Sequence, residues 1–360
     1  MSTRNYSLPI EQTHWKVKGS QAETIFTWDY DEGRDKLLAL YEKGKDKQWN
    51  ASHRIDWSLP VDPEDPLGAP ETTLPIYGSP MYEKMNAKEK ATLRHHLTSW
   101  QFSQFLHGEQ GALICTAKIV QTCPDLDSKF YAATQVIDEA RHVEVYARYL
   151  NEKLKMFYPI NRHLRALLDD VVADTRWDLT NLGMQIIIEG LALAAFGMVR
   201  DMAQDPLAKS LTAYVMQDEA RHVAFGRLAL RDYYPQLTDA ERAQREEFVV
   251  DACYLMRDRF LAEEVWERLG LDTKECLKFV DASESMREFR KMLFSRIVPT
   301  IKDIGLMGPK VRKMFEDMGV IAFADLDVTE LSANDERVGD IIELERNSAV
   351  RETIDRGAAE

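Results

Sequence analysis

The hexapeptide Asp-Glu-Ala-Arg-His-Val occurs twice in this chain, at 138–143 and again 80 positions later at 218–223. In the first copy Glu139 stands three residues before His142, so the two side chains would share one face of a helix. The second copy repeats the same pair. Carboxylate and imidazole groups held side by side are typical ligands of transition metals. The repeat therefore predicts two matched halves of one metal-binding site.

The internal repeat extends upstream of both hexapeptides. Glu109 precedes Glu139 by thirty positions, and Glu189 precedes Glu219 by the same number. If a helical hairpin turns midway, each arm spans about 15 residues, or roughly 20 Å, and the two carboxylates lie at the same height. Two such hairpins packed face to face would bring together six candidate metal ligands: Glu109, Glu139, His142, Glu189, Glu219 and His222.

The charge of this ligand set indicates how many metal ions it would bind. Four buried carboxylates without counter-charge would oppose folding. Two divalent cations balance them and leave two neutral imidazoles as nitrogen ligands. One Glu from each of two helices plus Glu-x-x-His from each of the other two is the set known from dimetal carboxylate bundles. The alternative, two similar surface helices with ordinary salt bridges, would explain one Glu-x-x-His but not six residues in two-fold register.

The other charged residues of the hexapeptide are suited to supporting metal ligands. A metal-bound histidine usually donates its free N–H to a carboxylate, and Asp138 and Asp218 are the available acceptors. Arg141 and Arg221 would hold these aspartates or bridge between helices. Ordinary surface salt bridges are the alternative role for the two arginines.

The segments that must position these residues are predicted to be helical. From about 85 to 300, apolar residues recur at three- and four-residue spacing, and we find no strand-like alternation. Thr238 and Glu241 have the pattern of a capping box that opens a further helix. Helix breaks are predicted at Cys123-Pro124-Asp125, Tyr158-Pro159, Asp205-Pro206, Pro235 and Leu269-Gly270.

Three segments are predicted along the chain. Residues 1–84 would form an N-terminal arm, with a polar helical patch around 29–47 and a proline-rich extended stretch at 58–80. Residues 85–300 would form the helical domain with the dimetal site. Residues 301–360 would form a C-terminal helical extension and tail.

Composition narrows the class of protein and its location. A net charge of −14 argues against nucleic-acid binding. The N-terminus lacks a signal-peptide pattern and the four cysteines lack metal-binding spacing, so we expect a cytoplasmic protein with reduced thiols. The stretch Leu179–Val199 is long and apolar enough to cross a membrane. Its central Glu189 and the polar remainder of the chain favour instead a buried bundle helix, with no membrane partner.

Residues 85–235 resemble the ferritin-like diiron-carboxylate superfamily, and the doubled Asp-Glu-x-Arg-His is closest to its bacterial monooxygenases. This superfamily also includes ribonucleotide reductase small subunits, acyl-carrier-protein desaturases and arylamine N-oxygenases. The resemblance implies a ferritin-like four-helix bundle with additional helices and an extended N-terminal arm. It further implies that Asp138 and Asp218 each bond the histidine of the opposite helix, that two iron ions (or a Mn/Fe pair) bind, and that the reduced site reacts with O2.

Departures from the individual families leave the reaction open. Ribonucleotide reductase small subunits begin their ligand set with Asp, where this chain has Glu109, and Tyr146 stands at the position of their radical tyrosine. Tyr146 is therefore a candidate redox residue, with a plain core role as the alternative. Arylamine N-oxygenases carry a third histidine where Val215 stands, and the monooxygenases carry a threonine where Leu193 stands.

The expected function is an O2-dependent non-haem diiron oxygenase or oxidase. It would act on a C–H or N–H bond of a small organic or carrier-bound acyl substrate, with Leu193 and Phe196 as candidate pocket residues. We find no flavin, nicotinamide or iron–sulfur motif, so an external electron donor is expected. A radical generator, a ferritin-like iron oxidase and a non-enzymatic scaffold remain alternatives. The oligomeric state stays open, although a homodimer through bundle helices is common in the families this chain resembles.

Overall fold

A computed structural model describes residues 24–25, 33–338, 340–341 and 344 of the chain. These residues form helices joined by short loops and contain no β-strand, which confirms the predicted all-α class. A further helical stretch covers 328–338. The α-helices are α1 (Asp35–Asp46), α2 (Ala51–Arg54), α3 (Pro80–Glu83), α4 (Ala87–Thr122), α5 (Leu126–Arg148), α6 (Arg162–Ala173), α7 (Trp177–Asn181), α8 (Glu189–Met202), α9 (Pro206–Tyr233), α10 (Asp239–Asp258), α11 (Glu263–Arg268), α12 (Thr273–Ala282), α13 (Glu284–Leu293), α14 (Ile297–Asp303) and α15 (Pro309–Asp317).

Two helical hairpins form the central bundle. Helices α4 and α5 pack against each other as the first hairpin, and α8 and α9 form the second. Helix α9 also packs on α5, which joins the two hairpins. The predicted four-helix bundle is therefore present, with the additional helices packed around it.

Helix ends fall where local side chains satisfy the free backbone groups. Asp125 caps α5 by accepting a hydrogen bond from the Ser128 N–H, and Asp205 caps α9 ahead of a proline at its first turn. Helix α10 begins with the predicted capping box between Thr238 and Glu241. All five predicted breaks, at 123–125, 158–159, 205–206, 235 and 269–270, lie outside the interiors of the α-helices. Pro206 occupies the first position of α9, and Pro235 lies in a short 3₁₀-helix, Tyr234–Gln236.

The apolar run predicted as a buried bundle helix lies inside the fold. Helix α7, a π-helix at Leu182–Ile188 and α8 form one continuous helix from Trp177 to Met202. Its length and composition would suit a membrane span, but 89% of its most apolar window is buried among the other helices. The π-helix ends immediately before Glu189. Segments of this kind are frequent at functional sites, and a 3.6-residue apolar pattern does not reveal them.

The N-terminal segment lies on the outside of the bundle. Helix α1 packs on α5 and α9. The proline-rich stretch 58–80 contains one short 3₁₀-helix, Glu71–Thr73, and contacts α4 through a 3.0 Å ion pair between Arg94 and Glu71. This agrees with the expected extended arm. Residues 29–32 of the predicted helical patch, the N-terminus and the end of the tail lie outside the described residues. The division into three segments stays a prediction.

Candidate metal centre

The structure brings all six predicted metal ligands together in the bundle. Helix α4 supplies one glutamate, α8 begins with another, and α5 and α9 each supply a Glu-x-x-His pair. Every one of these side chains belongs to a residue that is 5% exposed or less: Glu109, Glu139, His142, Glu189, Glu219 and His222.

Distances divide the cluster into two overlapping groups. The Nδ1 atom of His142 lies 3.2 Å from Glu109 Oε2 and 3.1 Å from Glu219 Oε1. The Nδ1 atom of His222 lies 3.1 Å from Glu139 Oε1 and 3.5 Å from Glu219 Oε1. Glu139 also approaches His142, at 3.5 Å. Glu139 and Glu219 therefore lie between the two histidines.

Donor atoms in each group are close enough to share one cation. Glu109, Glu139, His142 and Glu219 have ligand atoms within 4.8 Å of one another. The same limit holds for the second group, which consists of Glu139, Glu189 and His222. Two groups that share a carboxylate are the arrangement expected of a dinuclear site.

Several of these ligand atoms have no hydrogen-bond partner. Among the described residues no hydrogen bond of suitable geometry reaches Glu139 Oε2, Glu189 Oε2, either carboxylate oxygen of Glu219 or the Nδ1 atom of His222, although all are buried. Buried polar atoms are nearly always satisfied, and unpaired buried charge is costly. Two divalent cations would satisfy these atoms, so the residues present fit a dimetal cofactor.

Electrostatics within the cluster also favour cations. Burial and the neighbouring Glu219 raise the pKa of both Glu109 and Glu189 well above the ordinary value for a glutamate. Without a cation these carboxyl groups would therefore tend to retain protons. A metal ion replaces such protons when it binds, because carboxylate ligands must be ionised.

Aspartates orient the two imidazole rings from the side that faces away from the glutamates. The Nε2 atom of His142 lies 3.1 Å from Asp218 Oδ2, and that of His222 lies 3.2 Å from Asp138 Oδ2. Each histidine thus bonds an aspartate on the opposite helix. Donation from Nε2–H leaves the lone pair on Nδ1 directed at the carboxylates, which is the tautomer a metal requires.

Two buried arginines form ion pairs with these aspartates. Arg141 pairs with Asp138 on its own helix and, at 2.8 Å, with Asp218 on the other. Arg221 pairs with Asp218 and lies 4.0 Å from Asp138. Although burial opposes it, Arg221 and the hydrogen bond to His142 hold the pKa of Asp218 well below its ordinary value. Asp218 therefore stays available as an acceptor, and the ion pairs between the two helices join α5 to α9.

Gln135 touches the cluster directly, and sequence reasoning missed it. Its side-chain amide donates to Glu139 Oε1 at 2.9 Å and to Glu189 Oε1 at 3.0 Å. Gln135 stands one helical turn before Glu139, so i,i+4 spacing was the available signal.

The segment that follows α1 supplies two further missed residues. The side-chain amide of Gln48, just beyond the end of α1, donates to Asp138 Oδ1 at 2.7 Å, and the indole N–H of Trp49 donates to Asp218 Oδ2 at 2.8 Å. No sequence pattern connects these residues to aspartates that stand 90 and 169 positions away.

A small cavity of about 20 Å³ borders the cluster, and its lining includes Glu109, Glu189, Glu219, Phe105, Leu191 and Phe196. Of the two predicted pocket residues, Phe196 lines it. Leu193 does not line it and is 2% exposed in the core. The substrate-pocket role of both residues stays a prediction. At about 100° per residue, Ala192 and Phe196 lie on one side of Glu189 around α8, whereas Leu193 lies on the other.

Tyr146 lies in an aromatic wall beside the cluster. It is fully buried, and its hydroxyl has no hydrogen-bond partner among the described residues. Its ring contacts Phe105 and Phe196, with centroids 5.8 and 5.9 Å away. Burial, with a smaller contribution from Glu109 and Glu219, raises its pKa well above the ordinary value for a tyrosine. The phenol is therefore neutral and close to the candidate ligands.

Comparisons with known proteins identify what this chain is similar to. Residues 31–305 match the model of the family described as p-aminobenzoate N-oxygenase AurF. No curated protein sequence matches significantly. Among solved structures, a variant R2-like ligand-binding oxidase with a Mn/Fe cofactor is 18% identical, covers 75% of this chain and 94% of its own, and has a TM-score of 0.46. A protein with aldehyde deformylating oxidase activity from Synechococcus is 18% identical, covers 61% and 95%, and has a TM-score of 0.42.

The family match spans most of the chain, including every residue of the Glu/His cluster. It confirms the predicted superfamily, and it identifies the N-oxygenase branch even though Val215 replaces the expected third histidine. The bundle, the paired Glu-x-x-His groups and the unsatisfied buried carboxylates are what a dimetal cofactor needs. This chain belongs to the p-aminobenzoate N-oxygenase AurF family and is an O2-dependent oxidoreductase of the ferritin-like diiron type, with a dimetal cofactor.

Proposed function

We propose that the six clustered side chains bind two metal ions, as Fe/Fe or Mn/Fe. The observation that carries this assignment is the pair of donor groups that share Glu139. Because Glu139 and Glu219 each approach both histidines, they would be available to both metal ions. Glu109 and Glu189 would each hold one of them. Val215 is fully buried and apolar and offers no further nitrogen, so His142 and His222 would be the nitrogen ligands.

The reaction that this site supports best is N-oxygenation of a small primary amine, as the family name suggests. When bound, the dimetal centre would supply the oxidant from O2, two protons and two electrons of an external donor, so that one oxygen atom is placed on the amine nitrogen and the other leaves as water. Oxidation of a C–H bond is the alternative outcome at the same centre.

The protein's own contribution is positioning and exclusion of water. Asp138 and Asp218 fix the imidazole rings, and Gln135 holds two carboxylates by hydrogen bonds. Phe105 and Phe196 form an apolar wall of the adjacent cavity. Such a wall limits the access of water to a reactive site.

The experiment is anaerobic loading with Fe(II), counting of metal per chain, and then addition of O2 with 4-aminobenzoate. We expect two metals per chain and a product carrying oxygen on nitrogen, identified by mass spectrometry. In Glu189→Gln, which removes one anionic ligand, we expect close to one metal per chain. Binding of fewer than two metals by the unmodified protein contradicts the dimetal assignment, and a ring-hydroxylated product contradicts N-oxygenation.

A radical generator is the second candidate, and the unpaired Tyr146 hydroxyl beside the cluster favours it. The same loading experiment separates the two functions by EPR spectroscopy of samples frozen after addition of O2. An organic radical that disappears in Tyr146→Phe would move the protein to this second class. N-oxygenation that survives unchanged in Tyr146→Phe would exclude a redox role for this residue.

We further propose that the chain forms a homodimer through α4 and α5. Ile114 on α4 is 49% exposed and Ile137 on α5 is 57% exposed. These are large apolar side chains on two neighbouring bundle helices. A second copy of the chain packed on them would remove that apolar surface from water.

A further inference from the structure

A second, larger cavity lies further along α4 from the candidate metal centre. Its volume is about 390 Å³, and its walls come from the proline-rich stretch 58–80, α4, α8 and α13. On α4, Leu97 and Gln101 line this cavity, whereas Phe105 and Glu109 line the small cavity beside the cluster. Each of these residues is four positions from the next, so each is a neighbour of the next on the helix surface. The eight residues from Gln101 to Glu109 span about 12 Å.

Helix α8 borders the two cavities in the same order. Met198 and Met202 line the larger cavity, and Leu191 lines the small one together with Glu189. Seven and then four positions separate Leu191, Met198 and Met202, so the three side chains share one face of α8. Helices α4 and α8 therefore form two walls of a passage. It leads from the larger cavity to Glu109 and Glu189, which are candidate ligands on different helices.

The ring of Phe260 stands between the two cavities. Among the described residues, Phe260 is the one that lines both. Its ring makes edge-to-face contacts with Trp100 and Phe289, with centroids 6.4 and 5.6 Å away. Trp100 and Phe289 both line the larger cavity. Phe260 is thus the part of the partition that faces both sides.

The backbone that carries Phe260 is irregular. A 3₁₀-helix, Arg259–Leu261, joins α10 to α11, and Phe260 has non-helical angles (φ −91°, ψ 17°). Ala262 has a left-handed φ of 54°, a strained conformation for a residue other than glycine that is found at ligand clamps and switch regions. The neighbouring Trp100 is fixed by a 2.9 Å hydrogen bond from its indole N–H to Glu264 Oε2. Phe260 has no polar side-chain atom and is held by packing alone, so its ring is the part of the partition free to move.

The lining of the larger cavity suits the apolar body of a small organic molecule. Four methionines contribute to it: Met198, Met202, Met286 and Met292. Methionine side chains are flexible and adapt to different shapes. The charged lining residues already have partners, since Arg94 pairs with Glu71 at 3.0 Å and Glu288 pairs with Lys291 at 2.7 Å. A cavity that binds benzene measures about 150 Å³, so this one has room for a substituted aromatic ring.

We propose that the larger cavity is the entry chamber for the amine substrate, and that Phe260 limits the size of the molecule that passes on to the metal centre. The small cavity, at about 20 Å³, suits little more than a water molecule. An aromatic amine therefore reaches the candidate ligands only when the ring of Phe260 moves aside. This role rests on the proposed function, for which it supplies the route of substrate entry.

The first test is calorimetric titration of metal-free protein with 4-ethylaniline. We expect one molecule to bind per chain. Thr98 lines the larger cavity, so the indole of Thr98→Trp would occupy it. Affinity should then fall about 10- to 100-fold, as expected for losing the burial of one apolar ring. Thr92→Trp places the same indole on the exposed side of α4 and should bind the probe normally. If Thr98→Trp does not fold, Ala69→Trp replaces it, because Ala69 lines the same cavity from the proline-rich stretch.

The second test follows release of Fe(II) to 2,2′-bipyridine under anaerobic conditions. This chelator is a small aromatic molecule, and its iron complex is coloured. In Phe260→Ala release should be about 10-fold faster, because no ring has to leave the passage. In Thr98→Trp release should be slower. Phe315→Ala is the matched control, since Phe315 is fully buried on α15 and lines neither cavity. It should release iron at the rate of the unmodified protein.

Specific outcomes overturn the proposal. The entry chamber is refuted if 4-ethylaniline does not bind the unmodified protein, or if it binds Thr98→Trp equally well. The role of Phe260 is refuted if Phe260→Ala releases iron no faster than the unmodified protein. It is equally refuted if Phe315→Ala accelerates release as much, because a general loosening of the fold then explains the effect.

Failure of the proposed function gives a different result, because neither test uses O2 or turnover. A protein that binds 4-ethylaniline in the chamber but does not oxidise amines would contradict the proposed reaction alone. If the chain binds no metal, the dimetal assignment fails, and calorimetry on metal-free protein still decides whether the chamber binds the amine. N-oxygenation of 4-ethylaniline at an unchanged rate in Thr98→Trp would contradict this inference alone.

Discussion

At the scale of single residues, the cluster contains polar atoms that have a hydrogen-bond partner in the protein and polar atoms that have none. Each histidine uses Nε2 to bond an aspartate, at 3.1 Å for His142 and 3.2 Å for His222. The carboxylate oxygens of Glu219 have no hydrogen-bond partner among the described residues. The atoms that orient the ligands therefore have hydrogen-bond partners within the protein, whereas the ligand atoms directed into the cluster do not. That division is what a metal site requires, because the metal supplies the missing partners.

Asp218→Asn tests this division of roles. The amide cannot match the charge that orients His142 and pairs with Arg141 and Arg221. We expect metal affinity to fall about 10- to 100-fold, measured by competition with a chelating dye. Asp232→Asn, at an exposed carboxylate, is the control and should bind metal normally. Unchanged affinity in Asp218→Asn, with an unaltered circular dichroism spectrum, would refute the supporting role of Asp218.

At the scale of secondary-structure elements, the π-helix Leu182–Ile188 decides how closely the second hairpin packs. Gly226 on α9 faces this segment, and a Cβ atom there would lie 2.6 Å from Gln185 Cβ and 2.8 Å from Asn181 Oδ1. Only a residue without a side chain permits this approach. Since Glu189 directly follows the π-helix and Glu219 lies on α9, the close contact also sets the relative position of two candidate ligands.

Gly226→Ala should therefore destabilise the fold. Overpacking of this kind costs about 1–3 kcal/mol, so we expect a lower melting temperature, read by circular dichroism. Gly197→Ala on α8 is the matched control, because its new methyl group would lie 3.4 Å from Met216 Cε, an ordinary contact. In a helix, alanine is more favourable than glycine by up to about 1 kcal/mol, and this difference favours the folded state of both variants. If both variants melt alike, the close approach at Gly226 does not limit packing.

At the scale of the whole molecule, the candidate ligands join both hairpins into one unit. They come from α4, α5, α8 and α9, and their carboxylates repel one another unless cations lie between them. Metal binding and folding are then linked, because a ligand that binds only the folded state stabilises it.

Removal of metal should accordingly lower the stability of the whole fold. At free metal of 1,000 times the Kd, linkage predicts about 4 kcal/mol of stabilisation. We expect chelator-treated protein to melt at a lower temperature and to recover on addition of Fe(II) under anaerobic conditions. Glu189→Gln should show a smaller recovery. Equal melting temperatures with and without metal would mean that the cluster is not a metal site.

The proposed homodimer is also a property of the whole molecule. We expect light scattering to give twice the 41.4 kDa chain mass. The double variant Ile114→Glu with Ile137→Glu should shift the protein to the monomer, because it places charge on the apolar contact. Ile341→Glu changes an apolar side chain that is 45% exposed in the C-terminal segment and serves as control. A monomeric unmodified protein would refute the dimer.

Much of the fold and of the candidate metal site could be predicted from the sequence alone. Metal ligands on one helix share a face only when they are three or four residues apart. The repeated Glu-x-x-His pairs and the thirty-residue offsets therefore predict both the bundle and the candidate cluster. Proline, glycine and capping residues act within a few positions of themselves, so the helix breaks were also predictable. These features depend on local chemistry, which a sequence displays directly.

Only the tertiary structure decided what reaches the cluster from elsewhere. Gln48 and Trp49 come from the N-terminal segment and bond the aspartates behind the two histidines. Leu193 showed the same limit, since the side of α8 that lines the cavity depends on how the helix is rotated against its neighbours. Contacts between residues so far apart in the chain leave no periodic pattern, because they arise from how whole helices pack.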